Sequence, residues 1–228
     1  MPRKPKAPMD SPAGAILQLK IWLLDINPMI WRRMLVPAAF TLRELHGVIQ
    51  VAMGWESLHL YLFKIRAVAY GSFQLSVESP DATMESFRFR KNAKFTYVYD
   101  MGAGWEHEIR VEDRLEAKEG QRYPVCTGGQ GACPPEDCGG PQGYQAHREE
   151  ALSYDALEDF DTMLSLLDAV VLKGKRELLD DPETRWTFEG AVERSKAREP
   201  FLAESFSRRE VNARLRKGEH LSLMHQQW

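Results

Sequence analysis

Alternating apolar and polar residues predict strands in the first half of the chain. The alternation is clearest at 16–24 and at 105–112, and a period of two is typical of a strand with one buried face. In the second segment His107 shares a face with Trp105 and Ile109, so its imidazole is expected to point toward the core or toward whatever covers it. Further strands are predicted at 59–66, 86–90 and 94–100.

Apolar residues spaced three or four apart predict helices. The first helix, at 41–53, begins with a capping box formed by Thr41 and Glu44, and Gly54 is a natural stop. Further helices are predicted at 153–172, from Asp181-Pro182 onward, and from Ser207 to about Lys217.

This order of elements predicts an α+β fold, with an antiparallel or mixed sheet and helices packed on it. A single domain is expected over 15–217, between tails at 1–14 and 218–228. Within it, 15–117 is rich in strands, 118–148 is a loop and 149–217 is helical. Eleven of the 31 loop residues are Gly or Pro, so this loop is not expected to hold itself together.

Composition narrows the functional classes. The chain has 228 residues, 43% hydrophobic and 28% charged, which is an ordinary globular balance. A net charge of −3 disfavours a protein whose whole surface clamps DNA. No stretch approaches the roughly 20 apolar residues that cross a bilayer, and Met1 to Gly14 lacks the apolar region of a secretion signal. A cytoplasmic protein without a membrane partner is therefore expected.

The three cysteines lie within thirteen residues, with the spacing C-x6-C-x4-C. Thiolates clustered in a Gly/Pro-rich loop suit a structural zinc site, which needs four ligands. His107 is the first candidate for the fourth ligand, and His147, Asp137 or water are the alternatives. The same cysteines are also compatible with reduced thiols without metal, or with a redox pair. The residues concerned are Cys126, Cys133 and Cys138.

A second group of residues suggests a ligand site. Arg32 and Arg33 follow Trp31, and two guanidinium groups beside an indole could hold a phosphate or carboxylate. A groove for a peptide, an anionic ligand or a partner protein is therefore expected. Its predicted residues are Trp31, Arg32, Arg33, Trp55, His59 and Asp100.

Two alternatives stay open. An enzyme would use His59, Asp100 and His107, although no phosphate-binding loop, nucleophile elbow or metalloprotease motif is present. A DNA-associated factor would use residues 194–217, which carry eight basic and three acidic side chains, whereas 147–193 carry five basic and thirteen acidic ones.

Several short motifs follow one another in a recognisable order. They include P-M-I-W-R-R at 28–33, M-G-W at 53–55, W-E-H-E-I at 105–109, C-P-P-E-D-C-G-G at 133–140 and V-N-A-R-L at 211–215. In these motifs the chain resembles the plasmid pRiA4b ORF-3-like family, over nearly its whole length from about 15 to 217.

The resemblance implies an α+β fold and a small intracellular protein of bacteria or archaea, encoded on plasmids or chromosomes. Some relatives are labelled TnpR-like passengers of insertion elements, but the early serine here, Ser11, lies in the proline-rich tail and cannot serve a serine recombinase. This chain has Ala103 where relatives often have an acid, and Tyr61 where they often have a second histidine. Both differences weaken a catalytic interpretation. The working hypothesis is a non-catalytic binding or accessory protein of plasmid or mobile-element type.

Overall fold

A computed structural model describes residues 14–203 and 205–225, which form two compact units. The sheet unit comprises the described residues of 14–136 and 205–225, and the helical unit comprises those of 137–203. The predicted N-terminal tail, apart from Gly14, and the last three residues of the predicted C-terminal tail lie outside the described residues.

Seven antiparallel strands form the sheet, in the spatial order β4-β3-β5-β6-β1-β2-β7. The two longest strands, β1 and β6, lie side by side in the middle, and their alternating residues are buried, as the sequence pattern predicts. The strands are β1 (Ala15–Leu23), β2 (Trp31–Pro37), β3 (Tyr61–Ile65), β4 (Val68–Gly71), β5 (Lys94–Tyr99), β6 (Trp105–Glu116) and β7 (Val125–Gln130).

Helix α1 (Leu42–Met53) covers the sheet, and its predicted start and end are confirmed. The Thr41 side chain accepts from the Glu44 amide at 3.1 Å, and the Glu44 carboxylate accepts from the Thr41 amide at 2.7 Å. Gly54 ends the helix with φ +86, a left-handed conformation that costs glycine little. The helix therefore begins and ends where its local chemistry dictates.

The predicted strand at 86–90 is wrong. The chain forms a 3-10 turn at Met84–Phe87, and Arg88 has a left-handed φ of +48. The alternating Phe87 and Phe89 stack on each other at 5.4 Å, so aromatic packing rather than strand pairing explains their spacing.

The segment 118–148 is more ordered than expected. It contains the edge strand β7, which pairs with β2, and the start of a helix, α2 (Gly140–Ala151). Gly129 is required in β7, because a Cβ there would lie 2.5 Å from the Phe206 ring. Glycine, read from the sequence as loop material, here makes room for an aromatic side chain.

Two C-terminal helices complete the sheet unit, α5 (Arg208–Arg216) and α6 (Glu219–Leu223). The helix α6 lies in the predicted C-terminal tail. It packs so closely on α1 that a Cβ at Gly47 would lie 2.1 Å from the His220 carbonyl oxygen. The side-chain amide of Asn212 in α5 accepts from the Cys126 backbone N–H at 2.8 Å and donates to the Cys126 carbonyl at 2.9 Å. These two bonds pair the open edge of β7.

The helical unit contains α2 (Gly140–Ala151), α3 (Tyr154–Leu167) and α4 (Pro182–Leu202). The predicted helix at 153–172 is confirmed as α3 followed by a π turn at Asp168–Leu172. With its antiparallel sheet and its helices, the protein has the predicted α+β fold. Among the described residues, no helix combines the length and apolar character needed to cross a bilayer.

Candidate functional site

A closed ring of hydrogen bonds lies in the core of the sheet unit. On α1, His46 and Gln50 are one helical turn apart, and both bond to the Tyr97 hydroxyl, at 2.7 and 3.0 Å. Ser57, with a left-handed φ of +62, bonds the His46 ring at 2.9 Å through its hydroxyl and donates its amide to Gln50 at 3.0 Å. All four residues are buried.

Burial lowers the pKa of His46 to about 3 and raises that of Tyr97. The ring is satisfied when neutral Tyr97 accepts from Gln50 and donates to His46, whose other nitrogen then donates to Ser57. Each polar side-chain atom of the ring has at least one hydrogen-bond partner, so the cluster stabilises the core and is not arranged to bind a ligand.

An aromatic layer beside this ring holds the C-P-P-E motif. The Trp55 indole donates to the Pro134 carbonyl at 2.9 Å, and the Trp105 indole donates to the Glu136 carbonyl at 3.3 Å. The Glu136 carboxylate accepts from the Tyr99 hydroxyl and from the amides of residues 56 and 58. Burial, then the neighbouring Glu136 carboxylate, raise the pKa of Tyr99, so its hydroxyl remains a donor. These contacts anchor Pro134 and Glu136 of the motif in the sheet unit.

The three residues of the predicted enzyme do not share one surface. His59 precedes β3, is half-buried, and places Nε2 3.7 Å from the Asp100 carboxylate. By contrast, His107 is completely buried against Trp55, and burial lowers its pKa to about 3. Neither ring nitrogen of His107 has a hydrogen-bond partner in the part of the chain that is described. A neutral, enclosed imidazole is not placed to exchange protons with a substrate.

The predicted arginine pair is divided between two environments. Arg32 is 2% exposed, donates to the carbonyls of Ala52 and Gln130 at 2.9 Å, and stacks on the Phe206 ring at 4.0 Å. Arg33 points the other way and forms a forked pair with Glu112, at 2.5 and 2.9 Å. Because Arg32 and Trp55 are buried, the predicted groove is not an open surface, and the two guanidinium groups do not converge on one ligand.

The three cysteines are divided between the two units, with Cys126 and Cys133 in the sheet unit and Cys138 in the helical unit. Cys126 is 2% exposed, its thiol donates to the Gly128 carbonyl at 3.3 Å, and burial raises its pKa. Among the described residues of this unit, no three Cys, His, Asp or Glu ligand atoms lie within 4.8 Å of one another, so His107, Cys126 and Cys133 do not form a cluster. Cys138 belongs to the helical unit, where burial raises its pKa to about 11. A three-sulfur zinc site stays a prediction, which zinc analysis of protein purified without added metal would test.

The predicted basic segment at 194–217 is not one helix. α4 ends at Leu202 and α5 begins at Arg208, so the segment is split between the two units. Many of its cations bond within the protein. Arg194 and Arg198 pair with Asp159, Arg208 donates to the Thr127 carbonyl, and Arg214 pairs with Glu219.

A cavity of about 650 Å³ lies in the sheet unit between the end of β2, the loop at 120–125 and the helices α5 and α6. Its wall is mainly apolar. The apolar side chains of this wall include Phe40, Tyr123, Val125, Leu215 and Leu221. A volume of this size with a mainly apolar wall is typical of a small-molecule site.

The polar groups of this cavity include two cations, one carboxylate, one imidazole and the amides of Gln121 and Asn212. Arg122 and Arg216 line it as exposed cations, whereas the Glu44 carboxylate there is already held by Thr41. His220, 6% exposed, also lines the cavity and stacks on Phe40, and burial lowers its pKa to about 4. Its Nδ1 has no hydrogen-bond partner among the described residues. The cavity therefore offers positive charge and one unpaired neutral imidazole nitrogen.

Sequence reasoning missed this cavity because part of its wall comes from 120–125, which was assigned to a loop, and from 218–221, which was assigned to a tail. Two signals were present. V-N-A-R-L at 211–215 places Asn212 on the edge of β7, and Gly47 inside a helix marks the close approach of another backbone.

The comparisons with known proteins agree with this fold. The model of the plasmid pRiA4b ORF-3-like protein family matches residues 15–170. The uncharacterised protein y4hQ of Sinorhizobium fredii is 34% identical over 192 residues, which cover 76% of this chain and 95% of that protein. The crystal structure of MM3350, a protein of unknown function from Methanosarcina mazei Go1, is 35% identical with a TM-score of 0.59, covering 67% of this chain and 89% of that one. The chain belongs to the plasmid pRiA4b ORF-3-like family.

Proposed function

We propose that this protein is a non-catalytic binding protein whose cavity between β2, α5 and α6 takes a small apolar molecule that carries an acidic group. The observation that supports this proposal is the cavity itself, which measures about 650 Å³ and has a mainly apolar wall. By contrast, the buried side chains around His46 bond to one another in a closed ring.

The charges at the cavity define the ligand class. Arg122 and Arg216 can pair with a carboxylate or phosphate, and a guanidinium does so with two parallel hydrogen bonds. The apolar body of the ligand would lie against Tyr123, Val125 and Leu221. The unpaired Nδ1 of His220 gives a further polar contact to a ligand that reaches it. A neutral or cationic ligand would leave the two arginines without an anion.

Binding of 8-anilinonaphthalene-1-sulfonate, an apolar and anionic fluorescent probe, tests the proposal. We expect saturable binding to the folded protein, and displacement of the probe by decanoate at concentrations where decanol has little effect. Cooperative urea unfolding under the same conditions excludes a molten globule, which also binds this probe.

Two variants separate the cavity from the general surface. Replacing both Arg122 and Arg216 by Gln should weaken decanoate about tenfold and leave decanol unchanged, because only the anion loses its partners. Arg209→Gln is the matched control, an exposed arginine of the same helix α5 that is not among the cavity residues. Binding that is absent, or that falls equally in both variants, would contradict the proposal.

A further inference from the structure

The helix α3 of the helical unit has two different faces. Its less exposed positions form one face, which packs within the unit. They are Ala156, Asp159, Thr162, Met163 and Leu166. A second face, turned by about 120° at 100° per residue, carries large apolar side chains that are exposed.

These exposed side chains form a regular stripe, which we name the α3 stripe. Its members are Leu157 at 65% exposure, Phe160 at 56%, Leu164 at 49% and Leu167 at 51%. They are spaced three, four and three residues apart, the spacing of the seam along which one helix packs on another. Contiguous exposed apolar residues of this size mark an interaction site in a soluble protein.

The inward face of α3 does not need this stripe. Asp159, 6% exposed, accepts hydrogen bonds from Arg194 and Arg198 of α4, so the two helices are joined by an ion cluster. The stripe is therefore a second, separate surface, which the described residues of the helical unit leave about half exposed or more.

Charge defines what can cover the α3 stripe. Among the residues of α3, four are acidic and none is basic. Asp155, Glu158 and Asp161 are exposed, and Asp161 lies directly beside the stripe. A second copy of this helix would bring two purely acidic surfaces together. A helix with basic flanks would pair with them, as flanking charges do in coiled coils.

We propose that the α3 stripe is a docking site for an amphipathic helix of another protein, with leucine-type residues on its contact face and lysine or arginine on its flanks. This proposal does not depend on the cavity of the sheet unit, which uses different residues.

The probe is a labelled three-heptad peptide with Leu at both seam positions and Lys at the flanks, tested on the full chain by fluorescence anisotropy. A second peptide replaces every flanking Lys by Glu. We expect the Lys peptide to bind saturably, at least about tenfold more tightly than the Glu peptide, and less tightly as salt increases. Equal binding of the two peptides, or no binding, would overturn the proposal.

Matched variants locate the binding. Leu157→Ser with Leu164→Ser should weaken the Lys peptide about tenfold, whereas Leu152→Ser with Leu179→Ser, also exposed leucines but outside the stripe, should change it less than about twofold. Asp161→Lys with Glu158→Lys should reverse the preference between the peptides. Equal loss in both leucine variants overturns the proposal. So does light scattering that shows a dimer lost only in the stripe variant, because a second copy would then be the occupant.

Discussion

The two units of this protein place polar and apolar groups differently. The sheet unit buries its large apolar side chains, and its core ring around His46 leaves no polar atom of that ring unpaired. Among its described residues, the helical unit buries few apolar side chains, encloses the carboxylate of Asp159, and exposes Leu157, Phe160 and Trp186.

This difference has an energetic consequence. Apolar burial contributes about 25 cal/mol per Å², so the sheet unit carries the larger hydrophobic stabilisation. The helical unit depends more on an ion cluster, which is weak evidence for stability because desolvation offsets attraction. We therefore expect the sheet unit to respond to packing and to histidine protonation, and the helical unit to respond to loss of one ion pair.

The largest effect is expected from acid. Burial lowers the pKa values of His46, His107 and His220 to about 3, 3 and 4, from 6.5 in an unfolded chain. In acid the unfolded state therefore binds more protons than the folded state. The stabilising contribution of neutral histidine is fully present above pH of about 6.5 and is lost as pH falls toward the pKa values of the folded state. The free energy of unfolding then decreases by about 1.4 kcal/mol per pH unit for each histidine.

Urea unfolding at several pH values, followed by the fluorescence of buried Trp55 and Trp105, measures this slope. The three histidines together predict a loss of about 4 kcal/mol per pH unit. His220→Asn should reduce the slope by about a third, since it removes one of the three groups. A free energy of unfolding that does not change between pH of about 6.5 and 5 would contradict the burial of these histidines.

The second effect concerns the contact between α1 and α6. Gly47→Ala should lower the free energy of unfolding by about 3 kcal/mol, because the new Cβ would lie 2.1 Å from the His220 carbonyl oxygen and force the helices apart. Helix propensity alone predicts the opposite sign, a gain of about 1 kcal/mol. Gly14→Ala, with nothing within 4 Å, should change it by less than about 0.5 kcal/mol.

The third effect tests whether the ring around His46 is closed. Tyr97→Phe should cost about 2 kcal/mol of unfolding free energy, since it leaves the buried side chains of His46 and Gln50 each short of a partner. Tyr70→Phe is a matched control, a half-buried tyrosine whose ring packs edge-on against Phe87. If both variants unfold at the same urea concentration, the ring contributes no net stability.

The sheet unit was largely predictable because its signals are local or periodic. The capping box of Thr41 and Glu44 is completed within one helical turn, and the alternation in β1 and β6 follows directly from one buried face. β7 was missed because Gly129 is explained only by its contact with Phe206, which lies far along the chain. The cavity was missed for the same reason, since it depends on α5 and α6.

The helical unit shows a different limit. The periodicity at 153–172 correctly predicted a helix, which the structure resolves into α3 and a π turn. A spacing of three and four shows which residues share a face, but not whether that face is covered. Asp159 gives no sequence signal, because its burial depends on Arg194 and Arg198, 35 and 39 residues away. The zinc hypothesis meets the same limit of sequence patterns. Clustering of cysteines in the sequence does not set the distances between their sulfur atoms, so the hypothesis stays a prediction.

The smallest effect is expected in the helical unit. Asp159→Asn should lower the local stability of the helical unit by about 1.4 kcal/mol, because two guanidinium groups lose their anion. This change corresponds to about a tenfold loss of amide hydrogen-exchange protection in α3 and α4. The cost stays below the 3–5 kcal/mol typical of fully buried pairs, since Arg194 is 55% exposed and water screens it. Glu189→Gln, which removes the exposed pair with Arg185, should leave protection nearly unchanged. Protection in β1 and β6 should not change in either variant; a parallel loss there would mean that the two units unfold together, and that their stabilities cannot be assigned separately.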